Sequence, residues 1–269
     1  MADTPRNPLE KPGYELVFND DFDSPALNTA NWLPLYLPQW SSRERSRPNY
    51  RIADSQLVLQ ITADQQPWCP EFNGAVKVSN LQTGVSAGPL GSAQGQHRFS
   101  VDCRVREEQA PQQLFCPQYG YIEIRCRGGR GLRNVFGFWM IGFEDTPQRS
   151  AEICPFELKG WNAGSERATL GFGLHPFGDP TIRDEFFERE FPIDATEFHL
   201  YAVDWSPEGV AFYLDNQLIH RSPQSPAYPM QLMLNLYELP PADDRPDAAP
   251  SYPTEFAIDY VRGWRRQGG

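Results

Sequence analysis

The sequence predicts an all-β protein, an antiparallel β-sandwich or barrel. Three observations carry that reading. Apolar residues alternate with polar ones over many short runs, the period of a half-buried strand. No segment keeps a 3.6-residue period for long. The chain is also turn-rich and aromatic-rich, with 26 Pro, 21 Gly, 7 Trp, 11 Tyr and 17 Phe, and both biases favour β-structure.

Taken in order, the segment Ala26 to Trp32 carries the only helical hint, worth a turn or two. Gln56 to Ile61, Arg98 to Val105 and Tyr121 to Arg127 alternate as strands. The Gly-rich piece Arg127 to Gly131 reads as a tight loop into the next strand, Val135 to Ile141; a single RGG-like copy in an acidic chain does not argue for RNA. Phe198 to Trp205 runs into a Ser206-Pro207-Glu208-Gly209 turn, then Val210 to Leu214, an Asp215-Asn216 turn and Gln217 to His220. That series is a set of antiparallel hairpins by its turn chemistry. Met230 to Leu236 and Glu255 to Trp264 are further strands. No linker composition or internal repeat divides the chain, so residues 1–269 read as one domain.

Charge and hydropathy exclude several classes of partner. Lys and Arg number 24 against 35 Asp and Glu, a formal net charge of −11. Such a chain is poorly suited to nucleic acid or to an anionic membrane surface. The longest apolar run, Val135 to Phe143, has nine residues and two glycines, whereas a spanning helix needs about 20. Cys103 and Cys126 fall on the apolar side of alternating runs and read as buried thiols. Cys69 and Cys116 sit in Pro-flanked loops, and the sequence leaves open whether they pair. Residues 1–11 lack the apolar core of a signal peptide. The expectation is a cytoplasmic protein or a secreted one whose signal has been removed.

One segment carries chemistry: Glu152-Ile153-Cys154-Pro155-Phe156-Glu157. Two acids lie in an apolar stretch, five residues apart. A regular strand points them to opposite faces. One extra residue restores the phase, because a bulge lets i and i+5 share a side. Pro155 suits that position, since proline cannot donate to a ladder. Glu152, Cys154 and Glu157 then line one face. Two carboxylates on one concave face are the equipment of glycoside hydrolysis, held about 5–5.5 Å apart in retaining enzymes. Spacing alone is equally compatible with two surface acids on an edge strand.

The chain resembles glycoside hydrolase family 16, the laminarinase-like jelly rolls of concanavalin A-like architecture. The family signature is E-x-D-x-x-E in its bulged form, matched by Glu152 to Glu157. Other matches follow in order: Phe18-Asn19-Asp20-Asp21-Phe22-Asp23, Tyr119 to Arg125, Phe138-Trp139-Met140, Gly173-Leu174-His175, Phe198 to Trp205, Phe212 to Asp215, Pro229 to Leu236 and Ile258 to Arg262. Together they cover about residues 14–265. The resemblance implies a jelly roll with a concave substrate cleft, Glu152 as nucleophile and Glu157 as general acid/base. It implies Trp139 as a sugar platform and His175 near the acid/base. Trp161, Phe177, Trp40 and Tyr36 are cleft candidates from their loop positions. Asn235 and Tyr237 follow a strand that runs to the cleft rim, and Arg43 lies in a loop over it.

One departure stands out, because the family's central Asp is Cys154 here. A thiol with an ordinary pKa near 8.5 is neutral at pH 7. Losing a third carboxylate removes like-charge repulsion, so the expectation is two carboxyl pKa values raised less and an acid-shifted optimum. By resemblance the bulged spacing points to an endo-β-1,3-glucanase, and no cofactor is needed for catalysis. A structural calcium at Asp21, Asp259 and the carbonyl of Ser55 is implied by the family's convex-face site. The partner expected is a polysaccharide or oligosaccharide, and the chain is expected to be a monomer. Two other readings use the same residues: a non-catalytic carbohydrate-binding jelly roll, and a transglycosylase.

Overall fold

The computed structural model describes residues 3–242 and 249–268. Its strands, in chain order, are β1 (Tyr14–Asp20), β2 (Asn49–Ala53), β3 (Gln56–Ile61), β4 (Lys77–Gln82), β5 (Gly84–Val85), β6 (Gln112–Gln113), β7 (Gly120–Arg127) and β8 (Asn134–Gly142). They continue as β9 (Glu152–Ala163), β10 (Ala168–His175), β11 (Glu185–Phe191), β12 (His199–Ser206), β13 (Gly209–Leu214), β14 (Gln217–Ser222), β15 (Met230–Glu238) and β16 (Thr254–Arg266). One antiparallel sheet runs β14-β13-β12-β7-β16-β3-β2, with β1 also on β16. The other runs β11-β10-β9-β8-β15-β4, and it carries the site.

The two sheets bury one core between them. Leu57, Leu59, Ile122, Ile124 and Cys126 of the first sheet meet Phe136, Phe138, Met140, Ile153, Phe156 and Leu158 of the second. Alternate residues on each strand supply it, as period-two patterning requires. Phe156 joins the layers, its ring centroid 4.2 Å from that of Tyr201. Burying such a ring stabilises the fold by about 1.5–3 kcal/mol. The hairpins form as their turns demand. Asp215 and Asn216 both adopt positive φ, 49° and 65°, the conformation that two-residue hairpins need and that Asn and Asp tolerate.

A second apolar cluster lies on the outer face of the site-bearing sheet. Loops cross that face and pack Tyr36, Leu37, Trp40, Trp68, Cys69 and Cys103 against Trp139, Ile141, Cys154 and Met233. The loops that wall the site therefore have a core of their own.

One strand expectation changes, one helical turn forms as expected, and one open question is answered. Arg98 to Val105 is not a strand: Cys103 donates its N–H to Ser100 O in a turn, and Val101 is 79% exposed. Cys103 is buried as expected, but loop packing rather than a ladder buries it. Ala26 to Trp32 yields one turn closed on the Asn28 carbonyl, which accepts from Asn31 and Trp32 at 3.0 Å. Cys69 and Cys116 are free thiols. Cys69 instead donates to Trp40 O at 3.2 Å. The Arg127 to Gly131 piece does form the loop between β7 and β8, where Arg130 pairs with Asp194 at 2.7 Å.

Candidate active site

The bulge foreseen in the sequence is present. On β8, Phe138 pairs with Phe156 and Met140 with Ile153. On β10, Gly171 pairs with Glu157 and Gly173 with Cys154. Two steps on each neighbour match three on β9, so β9 holds one extra residue between Cys154 and Phe156. Pro155 occupies it, where a missing N–H costs no ladder bond. Glu152, Cys154 and Glu157 consequently line one hollow of about 200 Å³, together with Trp139, His175, Phe177 and Tyr237.

The floor of this hollow is kept low by glycine. Glu157 faces Gly137 on β8 and Gly171 on β10. A Cβ at Gly137 would meet the Trp139 ring and Asn235 only at ordinary contact distances of 3.5 Å and more, so glycine leaves a methyl-sized recess there. Glu152 pairs across β10 with His175, whose Nδ1 lies 2.6 Å from Asp184 Oδ1. The His175 ring stacks on Phe186, centroids 4.5 Å apart.

Burial governs the electrostatics. It pushes the Glu152 carboxyl well above the usual carboxylate range, with the nearby Glu157 charge adding to the effect. Burial also raises Glu157, against the opposing pull of Lys159. The Cys154 thiol is driven far up and is neutral. The relief expected from losing a third carboxylate is relative to an Asp at position 154; desolvation, the largest cause at Glu152, raises it above an ordinary carboxyl with either residue there.

The other expected residues divide into three groups. Trp139, His175, Phe177 and Tyr237 line the hollow. Asn235 and Tyr36 stand one layer behind. Asn235 is fully buried and accepts the Trp139 indole N–H, while Tyr237 donates its hydroxyl to Tyr36 at 2.9 Å. Trp40, Arg43 and Trp161 are outside it. Trp40 is a core residue, wholly buried, its indole N–H given to Gln96 O at 2.9 Å. Arg43 turns to the neighbouring loop, where its Nε meets Gln109 Oε1 at 2.8 Å. Trp161 lies further along β9, where the register against β10 shifts between Leu158 and Ala163.

The calcium set does not fit. Asp21 accepts from Arg262 at 2.8 Å and from Asn19 at 2.9 Å. Asp259 accepts from Arg125 at 2.8 Å and from Arg6 Nε at 2.7 Å. Guanidinium groups already neutralise both carboxylates and would repel a dication. Ser55 sits in the exposed turn between β2 and β3. Among the described residues, no cluster of three or more acids, His or Cys is arranged to hold a metal.

Sequence reasoning missed His97. It lines the hollow, its ring 4.9 Å from Trp139 and 4.6 Å from Phe177. Burial lowers its pKa to about 4, so the imidazole is neutral. Its neighbour Gln96 pins the loop: the Gln96 carbonyl accepts from Gln39 and Trp40, and its side-chain amide donates to Phe143 O and Gln231. The only sequence signal was a histidine in a chain that holds four.

Comparison with known proteins agrees with this geometry. Residues 111–262, more than half of the chain, match the model of glycosyl hydrolases family 16. A solved structure described as a GlcNAcα1-4Gal releasing endo-β-galactosidase from Clostridium perfringens superposes with a TM-score of 0.86 and 31% identity, over 99% of this chain and 66% of that one. A glucan endo-1,3-β-glucosidase of Cryptopygus antarcticus is 34% identical over 107 residues, 38% of each chain. The catalytic domain of a laminarinase from Thermotoga petrophila shares the fold, with a TM-score of 0.63 and 17% identity over 95% of this chain and 99% of that one. The chain thus spans less than two thirds of the length of the first two relatives. The ordered motifs, the two-sheet architecture and the family match converge on one conclusion: this chain belongs to glycosyl hydrolases family 16.

Proposed function

We propose that the protein is a retaining endo-β-glycosidase acting on a β-linked polysaccharide. The observation that carries this reading is the pair Glu152 and Glu157 on one face of the bulged strand, the first buried, the second half-buried, and both raised in pKa. A carboxyl whose proton is held by burial is a general acid at neutral pH. Glu157 has that character, and Gly137 opposite it on β8 adds no side chain to the floor there. Glu152, once ionised, is a poorly solvated anion, which gains most by bonding to an anomeric carbon that is becoming positive.

The reaction then runs in two steps. A Glu152 oxygen bonds to the anomeric carbon while the bond to the leaving oxygen breaks and Glu157 passes it a proton. Water next attacks the glycosyl-enzyme, giving its proton to Glu157 and freeing Glu152. Trp139 offers an apolar face for a sugar ring, fixed by its bond to Asn235.

Two backbones are candidates. The bulged motif and the name of the Cryptopygus relative favour β-1,3-glucan. The whole-chain likeness to the clostridial endo-β-galactosidase favours a β-galactoside. The loops bearing Tyr36, Trp68 and His97 precede residue 111 and so lie outside the family match. The likeness to the clostridial endo-β-galactosidase spans those cleft walls at 31% identity, and the laminarinase fold spans them at 17%. Reducing-sugar release from laminarin, lichenan, agarose, xyloglucan and a galactose-based glycan, with Glu152→Gln as control, tests both. Release from one polymer, abolished in the variant, is expected; binding without release from any of them would favour a carbohydrate-binding role instead.

A further inference from the structure

A second hollow of about 360 Å³ adjoins the cleft. Phe177 lines both spaces and is 47% exposed. Arg98 and Glu144 supply the charged groups of the second hollow, Ser150 a hydroxyl, and Ala93 an exposed rim. Ser150 precedes Glu152 by two residues in the chain, and Phe177 is the wall the two hollows share.

The junction between the two spaces is built rather than incidental. His97, Glu144 and Phe177 all hold left-handed backbone, with φ of 49°, 55° and 44°. Non-glycine residues persist there only when their surroundings over-determine them. The His97 N–H donates to Glu144 Oε1 at 2.5 Å, and the His97 and Phe177 rings meet edge to face. His97 Nδ1 is buried with no hydrogen-bond partner. Gly95 and Gly178 keep the walls thin: a Cβ on Gly95 would strike the Trp40 ring at 2.9 Å, and one on Gly178 would meet Ser150 Oγ at 2.9 Å.

We infer that this hollow is a subsite for a neutral sugar substituent carried by the main-chain unit at Glu152, so that the natural substrate is a decorated β-glycan. The inference rests on the glycosidase reading and refines it. An exposed aromatic face opposite hydrogen-bonding groups suits a pyranose, which has an apolar face and a rim of hydroxyls. Arg98, Glu144 and Ser150 bring hydrogen-bonding groups, the match for a rim of hydroxyls. A substituent there would pass Phe177 and remain in contact with it while the backbone unit lies over Trp139.

The test uses two matched pairs of probes. One pair is a linear β-1,3-gluco-oligosaccharide and its β-1,6-branched counterpart. The other is a β-linked galacto-oligosaccharide with and without an α-1,4-linked N-acetylglucosamine. The substituted member of the pair that is turned over should have a kcat/KM higher by about tenfold or more. Ala93→Trp, at the exposed rim, should collapse that preference through the substituted probe. Equal kcat/KM for both members of the pair, or an equal loss on both in Ala93→Trp, would overturn the inference and leave the glycosidase reading standing. Turnover of neither pair would count against the glycosidase reading. In that case calorimetric binding of the same probes to Glu152→Gln decides the subsite, preference for the substituted probe supporting it and equal binding refuting it.

Discussion

Trp139 on β8 donates its indole N–H to Oδ1 of Asn235 on the neighbouring strand β15. Both groups are buried, so the bond fixes the indole plane over the hollow at little entropic cost. The Trp139 ring is thereby held in one orientation and is not a mobile surface ring.

Asn235→Leu removes the acceptor and leaves the indole N–H without its partner. An unsatisfied buried donor costs about 1–3 kcal/mol. For a chain of this size each kcal/mol lowers Tm by about 2–4 °C. Calorimetry should show that loss, with KM rising more than kcat falls as the platform loses its orientation. An unchanged KM would detach Trp139 from sugar binding.

Glu157→Ala should lose about 10²–10⁴ in rate on polysaccharide, the usual worth of a general acid/base. On an aryl glycoside with a good leaving group the first step needs no proton, so added azide should restore turnover and yield a glycosyl azide of retained configuration. Glu152→Ala should show no such rescue with retention. Identical behaviour of the two variants would remove the assigned division of roles.

Both glutamate pKa values are raised by burial, which sets the pH dependence. The proposed mechanism needs Glu152 ionised and Glu157 protonated. Raising Glu152 moves the acid limb of kcat/KM upward, and raising Glu157 moves the alkaline limb upward as well. The optimum is expected on the alkaline side of that for two ordinary carboxyls. Cys154→Asp adds a like charge between them and should move the acid limb higher still. An unaltered pH–rate profile in that variant would show that the neutral thiol does not set it.

Gly137 and Gly171 flank Glu157 but differ in the room behind them. A Cβ at Gly137 meets only ordinary contacts, whereas one at Gly171 lies 2.7 Å from the Phe186 ring. Gly137→Ala should fold with nearly native Tm and lower activity by raising the floor. Gly171→Ala should destabilise, by about 1–3 kcal/mol if overpacking is typical. Thermal melts and kcat/KM measured together separate the two effects.

Burial pushes the Glu144 carboxyl up to about 8, against the lowering effect of the His97 N–H. Its pKa is higher in the folded chain than in the unfolded one, so folding favours the protonated form. The stability it contributes is full below about 4.5 and is lost as pH rises through about 8. Denaturant titrations from pH 5 to 9 should show that decline, flattened in Glu144→Gln. Equal slopes in both proteins would place Glu144 in solvent.

Much of this molecule is determined locally. Period-two runs specify the central strands, because each must present one face to the core. Asp215-Asn216 specifies its hairpin, and the five-residue spacing with Pro155 specifies the bulge that brings Glu152 and Glu157 to one side. Those signals depend only on neighbours in the chain. The outer-face loops are decided otherwise. Cys103 and Trp40 look like strand and cleft residues in sequence, yet they become a second core because loops distant in the chain close over the sheet. Asp21 and Asp259 have the chemistry of metal ligands, yet arginines from other elements satisfy them. His97 carries no local pattern at all. It reaches the hollow through a left-handed turn pinned by Gln96 to residues up to 135 positions away. Such long-range hydrogen bonds and loop packing have no period to read, so only the tertiary structure decides what walls the cleft.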